Sequence, residues 1–254
     1  MNTYSLYSLY GTLCTEFFDL DKPTPPPLEY EFYKNYVEQA PGEILEPMCG
    51  TGRYLIPLCE SGFNVHGFDA STHMLNALRT KCAQKGLSPK VWHDFIDTVR
   101  TNLLYSLIFI PDSSFVLFLT NEEIIRSLQK LYSLLKPGGI FVFDVETIYA
   151  APSKIGLWQG KAHTRPDGSF ILLNTLPLAL EDDKATVICR YELCDKGSVI
   201  KTEIEYFKIK LYRPGEMMAL LEKIGFSSIK EIKAFDPHKI PSAQDYTIVY
   251  ECIK

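Results

Sequence analysis

The stretch "ILEPMCGTGRYLIPL" (residues 44–58) decides the interpretation of this chain. Apolar residues lead to one acidic residue, Glu46, then to a turn that contains Gly50 and Gly52, and then to a run with helical spacing. Glycines at a strand-to-helix turn let the backbone approach a ligand closely, and the start of the helix offers free N–H groups. The stretch therefore predicts a ligand-binding turn after the first strand.

The sequence around this turn alternates between strand and helix patterns. Short apolar runs at 63–69, 105–110 and 140–146 predict buried strands, and amphipathic stretches at 71–85 and 121–135 predict helices. Such alternation is typical of an α/β fold, a mostly parallel sheet with helices on both faces. Ligands of these sheets bind beyond the carboxyl ends of the strands, which is where the glycine turn is expected.

The middle of the chain has a different period. From about residue 168 to 211 apolar residues recur at every second position, which predicts antiparallel strands, and "DKGS" (195–198) predicts a hairpin turn. In the second strand of this hairpin, Ile204 and Tyr206 are expected on one face and Glu203 on the other. We therefore divide the chain into a lead-in or lid segment (1–27), a core (28–150), an antiparallel insertion (151–211) and the C-terminal part of the core sheet (212–254).

Composition excludes several classes of function. The net charge is −5 and there is no stripe of Lys and Arg, which argues against a nucleic-acid partner. No apolar run reaches the roughly 18 residues of a membrane span, and the N-terminus lacks the pattern of a signal peptide. Seven scattered cysteines without CxxC spacing, and histidines without a metal motif, indicate a reduced cytoplasmic protein that holds no metal.

The turn favours one type of cofactor over another. The nicotinamide fingerprint GxGxxG fails, because the third glycine after Gly50 and Gly52 falls on Leu55. The spacing E-x-G-x-G-x-G is met except at its first glycine, where Met48 stands two residues after Glu46. A carboxylate at this point repels phosphates and suits a ligand that has an ammonium group.

Two further acidic residues follow the next two predicted strands. Asp69 ends "FNVHGFD", at the position where a carboxylate can bind both hydroxyls of a ribose. Asp94 in "WHDF" can accept a hydrogen bond from an adenine amino group, with Phe95 stacking beside it. Together with Glu46, these residues indicate a ligand with an ammonium, a ribose and an adenine, which is S-adenosylmethionine.

With these features the chain resembles class I S-adenosylmethionine-dependent methyltransferases. The similarity is found in "ILEPMCGTGRYLIPL", "GFNVHGFDASTHMLNALR", "WHDF" and "LLKPGGIFVFDV", and it spans about 28–146 and 213–253. It implies a Rossmann-like sheet of seven strands beside the antiparallel insertion, S-adenosylmethionine as cofactor and S-adenosylhomocysteine as product. Met74 is open to two interpretations, a core residue or an adenine contact. The expected cofactor-binding residues are Glu46, Met48, Gly50, Thr51, Gly52, Arg53, Asp69, Ala70, Met74, Asp94, Phe95 and Ile110.

The methyl acceptor is expected just past the fourth strand, at "IPDSSF" (110–115). This segment differs from the (N/D)PP(Y/F) motif of nucleic-acid amino-methyltransferases and lacks the Pro-Cys of cytosine C5 enzymes. We therefore expect a small cytosolic metabolite, methylated at nitrogen or oxygen, with His163 as the candidate general base. The residues expected to line the acceptor pocket are Tyr10, Ser113, Ser114, Phe115 and Trp158.

Two other interpretations stay open at this stage. The chain could be a catalytically silent protein that binds S-adenosylmethionine and uses the insertion for interaction with partners. A nicotinamide-dependent oxidoreductase is the second, against which the failed fingerprint and the acid at Glu46 both count. In the methyltransferase interpretation the insertion forms either a wall of the acceptor pocket or the surface of a homodimer.

Overall fold

The computed structural model describes residues 10–254 of the chain as two sheets with helices. The helices are α1 (Thr12–Asp21), α2 (Pro27–Gln39), α3 (Leu55–Glu60), α4 (Thr72–Gln84), α5 (Asn121–Leu134) and α6 (Glu216–Ile224). The main sheet contains β1 (Ile44–Pro47), β2 (Val65–Asp69), β3 (Val91–His93), β4 (Tyr105–Ile110), β5 (Leu135–Glu146), β10 (Ser228–Lys233) and β11 (Thr247–Ile253). The second sheet contains β6 (Gln159–Thr164), β7 (Phe170–Glu181), β8 (Lys184–Asp195) and β9 (Ser198–Lys210).

The main sheet has the strand order β10-β11-β5-β4-β1-β2-β3 within the described part of the chain. The strands β1 to β5 pair in parallel, whereas β11 runs antiparallel to both of its neighbours. This confirms the predicted seven-stranded, mostly parallel sheet. The chain proceeds outward from β1 through β3 and then returns to β4 on the other side of β1, so the strand order reverses at the glycine turn.

Helices cover both faces of the main sheet. On one face, α5 and α6 bury Ile124, Leu128 and Leu221 against the sheet, and on the other α2 and α4 bury Tyr33 and Leu78. The central strand β4 is buried at every residue, because neither of its faces meets water. The continuous apolar runs noted in the sequence are explained by this double coverage.

Two local predictions need correction. The lead-in contains α1, a helix that the sequence analysis did not predict. The prolines of "DKPTPPP" (21–27), which argue against a helix, begin only after α1 has ended. The "KPGG" segment (136–139) was expected to separate α5 from β5, but α5 ends at Leu134 and β5 begins at Leu135. The strand therefore includes this segment, with Gly138 in a left-handed conformation.

The second sheet is antiparallel in the order β6-β7-β8-β9. The hairpin between β8 and β9 turns at Lys196 and Gly197, whose φ angles of 47° and 78° are typical of a type I′ turn. This confirms the predicted hairpin at residues 195–198. The helix α1 packs on one face of the sheet, where Leu13 and Phe17 contact a cluster that includes Tyr191.

In β9 the apolar face is exposed and the acidic face is buried, which is the opposite of what hydrophobicity alone predicts. Ile204 and Tyr206 are both 58% exposed, whereas Glu205 on the opposite face is only 6% exposed. The reason is that the acidic face meets the N-terminus of α1, whose free N–H groups need acceptors. The apolar outer face of the second sheet, defined by Leu172, Leu176, Ile188, Ile204 and Tyr206, has no helix packed on it among residues 10–254.

Candidate functional site

The turn after β1 is built from three residues in the left-handed backbone region. Met48, Gly50 and Gly52 have φ angles of 58°, 53° and 83°. A side chain at Gly52 would place its Cβ 2.9 Å from Leu78, so only glycine fits there. Met48 adopts the conformation that glycine usually supplies, and the departure from the glycine motif therefore leaves the shape of the turn intact.

Asp69 at the end of β2 fastens this turn to the start of α4. Its Oδ2 accepts a hydrogen bond from the Gly50 N–H at 2.8 Å, and its Oδ1 accepts one from the Ser71 N–H at 2.7 Å. Ser71 then caps α4 through a hydrogen bond from Met74 N–H to its Oγ. Burial raises the pKa of Asp69, and the two N–H groups partly offset this by stabilising the carboxylate.

A small, partly open cleft lies beside Asp69. The wall is apolar at Phe68 and Phe118, and acidic at Asp69 and Asp94. Such a cleft suits a flat apolar group with polar atoms at its edge. Five of the predicted cofactor residues meet at this cleft, namely Met48, Asp69, Ala70, Asp94 and Phe95.

On the other side of the turn lie two buried groups of opposite charge. Glu46 is 2% exposed and its Oε2 has no hydrogen-bond partner among residues 10–254. Burial raises the pKa of Glu46, and the nearby Arg53 partly opposes that effect. The Arg53 side chain is 6% exposed; its Nη2 lies 2.8 Å from Asp112 Oδ1, but its Nε is also without a partner in this part of the chain.

A buried polar atom without a hydrogen-bond partner is costly, and the two such atoms on Glu46 and Arg53, unpartnered within residues 10–254, suit a ligand that completes them. The Oε2 of Glu46 can accept hydrogen bonds from an ammonium, and the Nε of Arg53 can donate one to a carboxylate. An amino-acid group has both of these charges on one carbon atom. The two orphaned atoms are therefore suited to the methionine end of S-adenosylmethionine, with the cleft beside Asp69 suited to its adenosine.

Helix α1 lies across this turn. Asp19 on α1 accepts hydrogen bonds from Thr51 Oγ1 and from Lys81 Nζ, both at 2.6 Å. The Phe18 ring lies 5.6 Å from the Arg53 guanidinium, and Tyr10 O accepts a hydrogen bond from Ser71 Oγ. These contacts place α1 as a cover over the turn.

The second sheet holds α1 in this position. Helix α1 has no side chain of its own at its N-cap, and instead Glu205 Oε1 accepts from the Gly11 N–H and Glu203 Oε2 from the Leu13 N–H, each at 2.7 Å. Near the other end of α1, Asp21 pairs with His163 at 2.9 Å. The cover is thus assembled from residues about 140 to 190 positions apart in the sequence.

At the carboxyl ends of β4 and β5 lies a group of polar residues, most of which sequence reasoning missed. Asp144 is buried and accepts hydrogen bonds from Tyr33 Oη and from both the N–H and Oγ of Ser113. Burial raises the pKa of Asp144 to about 7 and also raises that of Glu146. The available signal was the pair of acids in the apolar run "IFVFDVE", where a buried charge needs a reason.

The other predicted acceptor residues lie in different surroundings. Ser114 Oγ donates to Pro111 O, and Phe115, expected to line the pocket, is fully buried against Phe143 in the core. Trp158 is 51% exposed, with its ring against Arg190 of the second sheet.

The last two residues expected to bind the cofactor, Ile110 and Met74, are both buried. Ile110 is fully buried at the end of β4, beside Phe143 of β5. Met74 is 4% exposed in the first turn of α4.

Residues 10–254 contain neither a metal-binding cluster nor a membrane-spanning helix. No group of three or more His, Cys, Asp and Glu side chains is arranged to hold a metal ion there. None of the helices in that range has the length and apolar character to cross a membrane.

The chain is similar to known methyltransferases in sequence. Residues 44–139 match the family described as "Methyltransferase domain". A protein described as a methyltransferase, YqeM of Bacillus subtilis (strain 168), is 28% identical over 123 residues, which is 47% of this chain and 50% of that protein. The matched region spans about half the length of the curated relatives.

Solved structures resemble the whole described chain. A S-adenosylmethionine-dependent methyltransferase from Clostridium acetobutylicum ATCC 824 superposes with a TM-score of 0.76 at 19% identity, over 96% of this chain and 98% of that one. The sugar N-methyltransferase KedS8 from Streptoalloteichus superposes with a TM-score of 0.74 at 15% identity, over 92% and 91%. The domain match over residues 44–139 agrees with the predicted enzyme class, and the structural likeness confirms the predicted fold.

Proposed function

We propose that this chain, whose residues 44–139 form a methyltransferase domain, transfers a methyl group from S-adenosylmethionine to a nitrogen or oxygen atom of a small metabolite. The observation that supports this best is that two buried atoms, Glu46 Oε2 and Arg53 Nε, have no hydrogen-bond partner among residues 10–254. A ligand with both an ammonium and a carboxylate satisfies the two together. A nicotinamide dinucleotide has phosphates instead, which the Glu46 carboxylate would repel.

The adenosine is proposed to occupy the cleft beside Asp69. The Asp69 carboxylate already accepts two backbone N–H groups, and its remaining lone pairs can accept both ribose hydroxyls. Asp94 and Phe95 line the same cleft and would contact the adenine edge and face. One crystal structure of the glycopeptide N-methyltransferase MtfA is a complex with S-adenosylmethionine, which supports the same choice of methyl donor here.

The acceptor is proposed to bind past β4 and β5, with nitrogen favoured over oxygen as the methylated atom. Asp112 and Glu146 lie in this region. The Glu146 side chain makes no hydrogen bond or ion pair within residues 10–254. Burial, and after it the nearby Asp112 charge, raise the pKa of Glu146. Acidic surroundings favour an acceptor with a basic amine. The similarity in fold to a sugar N-methyltransferase also supports a nitrogen acceptor.

The chemistry required of the protein is modest. S-adenosylmethionine supplies a methyl group already activated by its sulfonium. The residues of this chain need to hold the acceptor in line with that group and to exclude water, and such orientation can lower a barrier by about 7–11 kcal/mol. An ammonium acceptor must lose a proton first. We propose the Glu146 carboxylate as the group that accepts it, in place of the predicted base His163, which pairs with Asp21. Helix α1 covers the turn and would keep water out.

We further propose a homodimer in the cytoplasm, formed through the outer face of the second sheet. Ile204 and Tyr206 on this face are each more than half exposed, and exposed apolar patches mark interaction surfaces. All seven cysteines are free thiols, which supports a reducing compartment.

The test is calorimetric titration with S-adenosylmethionine, S-adenosylhomocysteine and NADH. We expect micromolar binding of the two sulfur nucleosides and none of NADH. In Glu46→Gln the affinity should fall about 10- to 100-fold, because a hydrogen bond to a charged group is lost. Glu43→Gln is the matched control, since Glu43 precedes β1 at the opposite end of the strand, beside His66.

A second step identifies the acceptor. Transfer of an isotope-labelled methyl group to a panel of small amines and alcohols would separate nitrogen from oxygen acceptors. Binding of NADH in place of the sulfur nucleosides would refute the proposal. Binding without any transfer across the panel would favour a silent S-adenosylmethionine-binding protein.

A further inference from the structure

We infer that Asp144 is a positioning residue: it fixes the backbone of residues 111–114 so that Asp112 holds Arg53 against the methionine end of the cofactor. This inference rests on the proposed function and assigns a role in it to a residue that does not touch the ligand. Asp144 stands two positions before the end of β5 and is 1% exposed.

The Asp144 carboxylate accepts three hydrogen bonds. Its Oδ2 accepts from both the N–H and the Oγ of Ser113, at 2.7 and 2.6 Å, and its Oδ1 accepts from Tyr33 Oη of α2. Three donors on one buried carboxylate fix its orientation, because both of its oxygens are held by partners from different elements. The carboxylate therefore links α2, β5 and the segment after β4.

This carboxylate also holds the backbone of the segment after β4. Asp112 and Ser113 are consecutive left-handed residues, with φ angles of 60° and 51°. This conformation is sterically unfavourable for residues with a Cβ, and two in succession need support from elsewhere. The hydrogen bond from the Ser113 N–H to Asp144 supplies that support, since it fixes the peptide between the two residues.

Residues 111–114 reach the cofactor site through the side chain of Asp112. Asp112 Oδ1 lies 2.8 Å from Arg53 Nη2, and its Oδ2 lies 3.6 Å from Lys22 Nζ at the end of the helix that covers the turn. Because a guanidinium is rigid and planar, fixing Nη2 also fixes the direction of the unpartnered Nε. The orientation of Asp112, and with it that of Arg53, thus depends on Asp144.

The experiment compares S-adenosylmethionine binding, kcat, KM and thermal stability in four variants. Asp144→Asn retains the size of the side chain, but its amide nitrogen cannot accept hydrogen bonds. We expect it to weaken S-adenosylmethionine binding about 10-fold and to raise the KM for this cofactor by a similar factor. Tyr33→Phe removes a single donor to the same carboxylate and should weaken binding about threefold.

Rescue separates positioning from a structural role. Glycine adopts a positive φ without steric cost, so Ser113→Gly in the Asp144→Asn background should restore affinity to within about threefold of wild type. The matched control is Ser114→Gly in the same background. Ser114 is the next residue, begins a short 3₁₀ turn and is not left-handed, so no rescue is expected.

The outcomes are distinct. If the wild-type protein does not bind S-adenosylmethionine, both the proposed function and this inference are overturned. If the wild type binds and Asp144→Asn binds equally well, or loses only thermal stability, the inference alone is overturned. Equal rescue by both glycine variants would also overturn it. Should Asp144→Asn fail to fold, the affinity of Tyr33→Phe decides the question, and an unchanged value refutes the inference.

Discussion

The two sheets of the molecule differ in what covers them. The main sheet is packed by helices on both faces, whereas the second sheet is packed on one face by α1 and is open on its outer face at Ile204 and Tyr206. Both faces of the main sheet are therefore buried by helices, whereas the second sheet is buried by a helix on one face only. The cofactor turn lies in the main sheet, and the helix that covers it, α1, is held in place by the second sheet.

This comparison also separates the kinds of residue on which each sheet depends. The turn after β1 relies on backbone shape at Gly52 and on buried charge at Glu46. The second sheet relies on the carboxylates of Glu203 and Glu205, which face the helix, and it leaves the apolar side chains of its outer face in contact with water. Substitutions in the two regions should therefore fail in different ways.

The largest expected effect is that of Gly52→Ala in the cofactor turn. Its Cβ would meet Leu78 at 2.9 Å and Ile56 at 3.0 Å at a φ of +83°. We expect about 2–5 kcal/mol of lost stability from the backbone and overpacking costs together, and loss of S-adenosylmethionine binding. Gly50→Ala is the matched control, with a φ of +53° but no atom within 4 Å, and should lose only about 1–2 kcal/mol. Urea denaturation and calorimetry measure both, and equal losses would contradict the steric explanation.

The next effect concerns pH and Asp144 in the main sheet. Its folded pKa is raised to about 7 by burial, so the native state retains a proton that the unfolded state releases near pH 4. Its contribution to stability is complete below about pH 4 and is lost as the pH rises through 7. Between pH 5 and pH 8 the loss should be about 2–3 kcal/mol.

The variant Asp144→Asn removes this titration. The difference in unfolding free energy between wild type and variant, measured by urea denaturation at several pH values, should therefore change by about that amount from pH 5 to pH 8. A difference that is constant with pH would show that Asp144 is already ionised at pH 5.

A smaller and more local effect is expected where the second sheet meets α1. Replacing both Glu203 and Glu205 by Gln should weaken the capping of α1 by about 1–2 kcal/mol, because charge-assisted hydrogen bonds to its N–H groups are lost. Amide hydrogen exchange in residues 13–21 should accelerate about tenfold, with α5 unchanged. Glu192→Gln is the control, because Glu192 pairs with Arg190 on the outer face. Uniform acceleration across the chain would mean global destabilisation instead.

The smallest effect on folding is expected at the outer face. Ile204→Lys should change monomer stability by no more than about 0.5 kcal/mol, since this side chain is 58% exposed, while it separates the proposed dimer. Leu28→Lys makes the same chemical change at a residue that is 64% exposed on α2 and should leave the dimer intact. Sedimentation velocity distinguishes the two variants. A wild-type protein that sediments as a monomer would refute the dimer.

The same comparison explains how far the sequence could predict the structure. Strands buried on both faces appear as continuous apolar runs, and the turn after β1 follows a known spacing, so the main sheet and the cleft residues Asp69 and Asp94 were predictable. The second sheet was predictable as an alternating pattern. Which of its faces meets water was not, because Glu205 is covered by a helix that lies far away in the sequence.

The same limit applies to what the sequence analysis missed. Helix α1 lacks a local cap, so its start at Gly11 has no signal nearby. The role of Asp144 depends on the left-handed conformation of Ser113, and no residue pattern announces that a serine adopts a positive φ. Both features arise from contacts between distant parts of the chain.

The capping of α1 by strand β9 has a consequence for the order of events during synthesis on the ribosome. A ten-residue helix is only marginally stable by itself in water. The acceptors for its first N–H groups, Glu203 and Glu205, are translated about 190 residues later. The nascent chain can therefore form β1 and the glycine turn early, but α1 settles over that turn only after β9 has left the exit tunnel. Helix α1, which precedes β1 in the chain, is therefore among the last elements to fold, and a prematurely terminated chain would retain the turn without its cover.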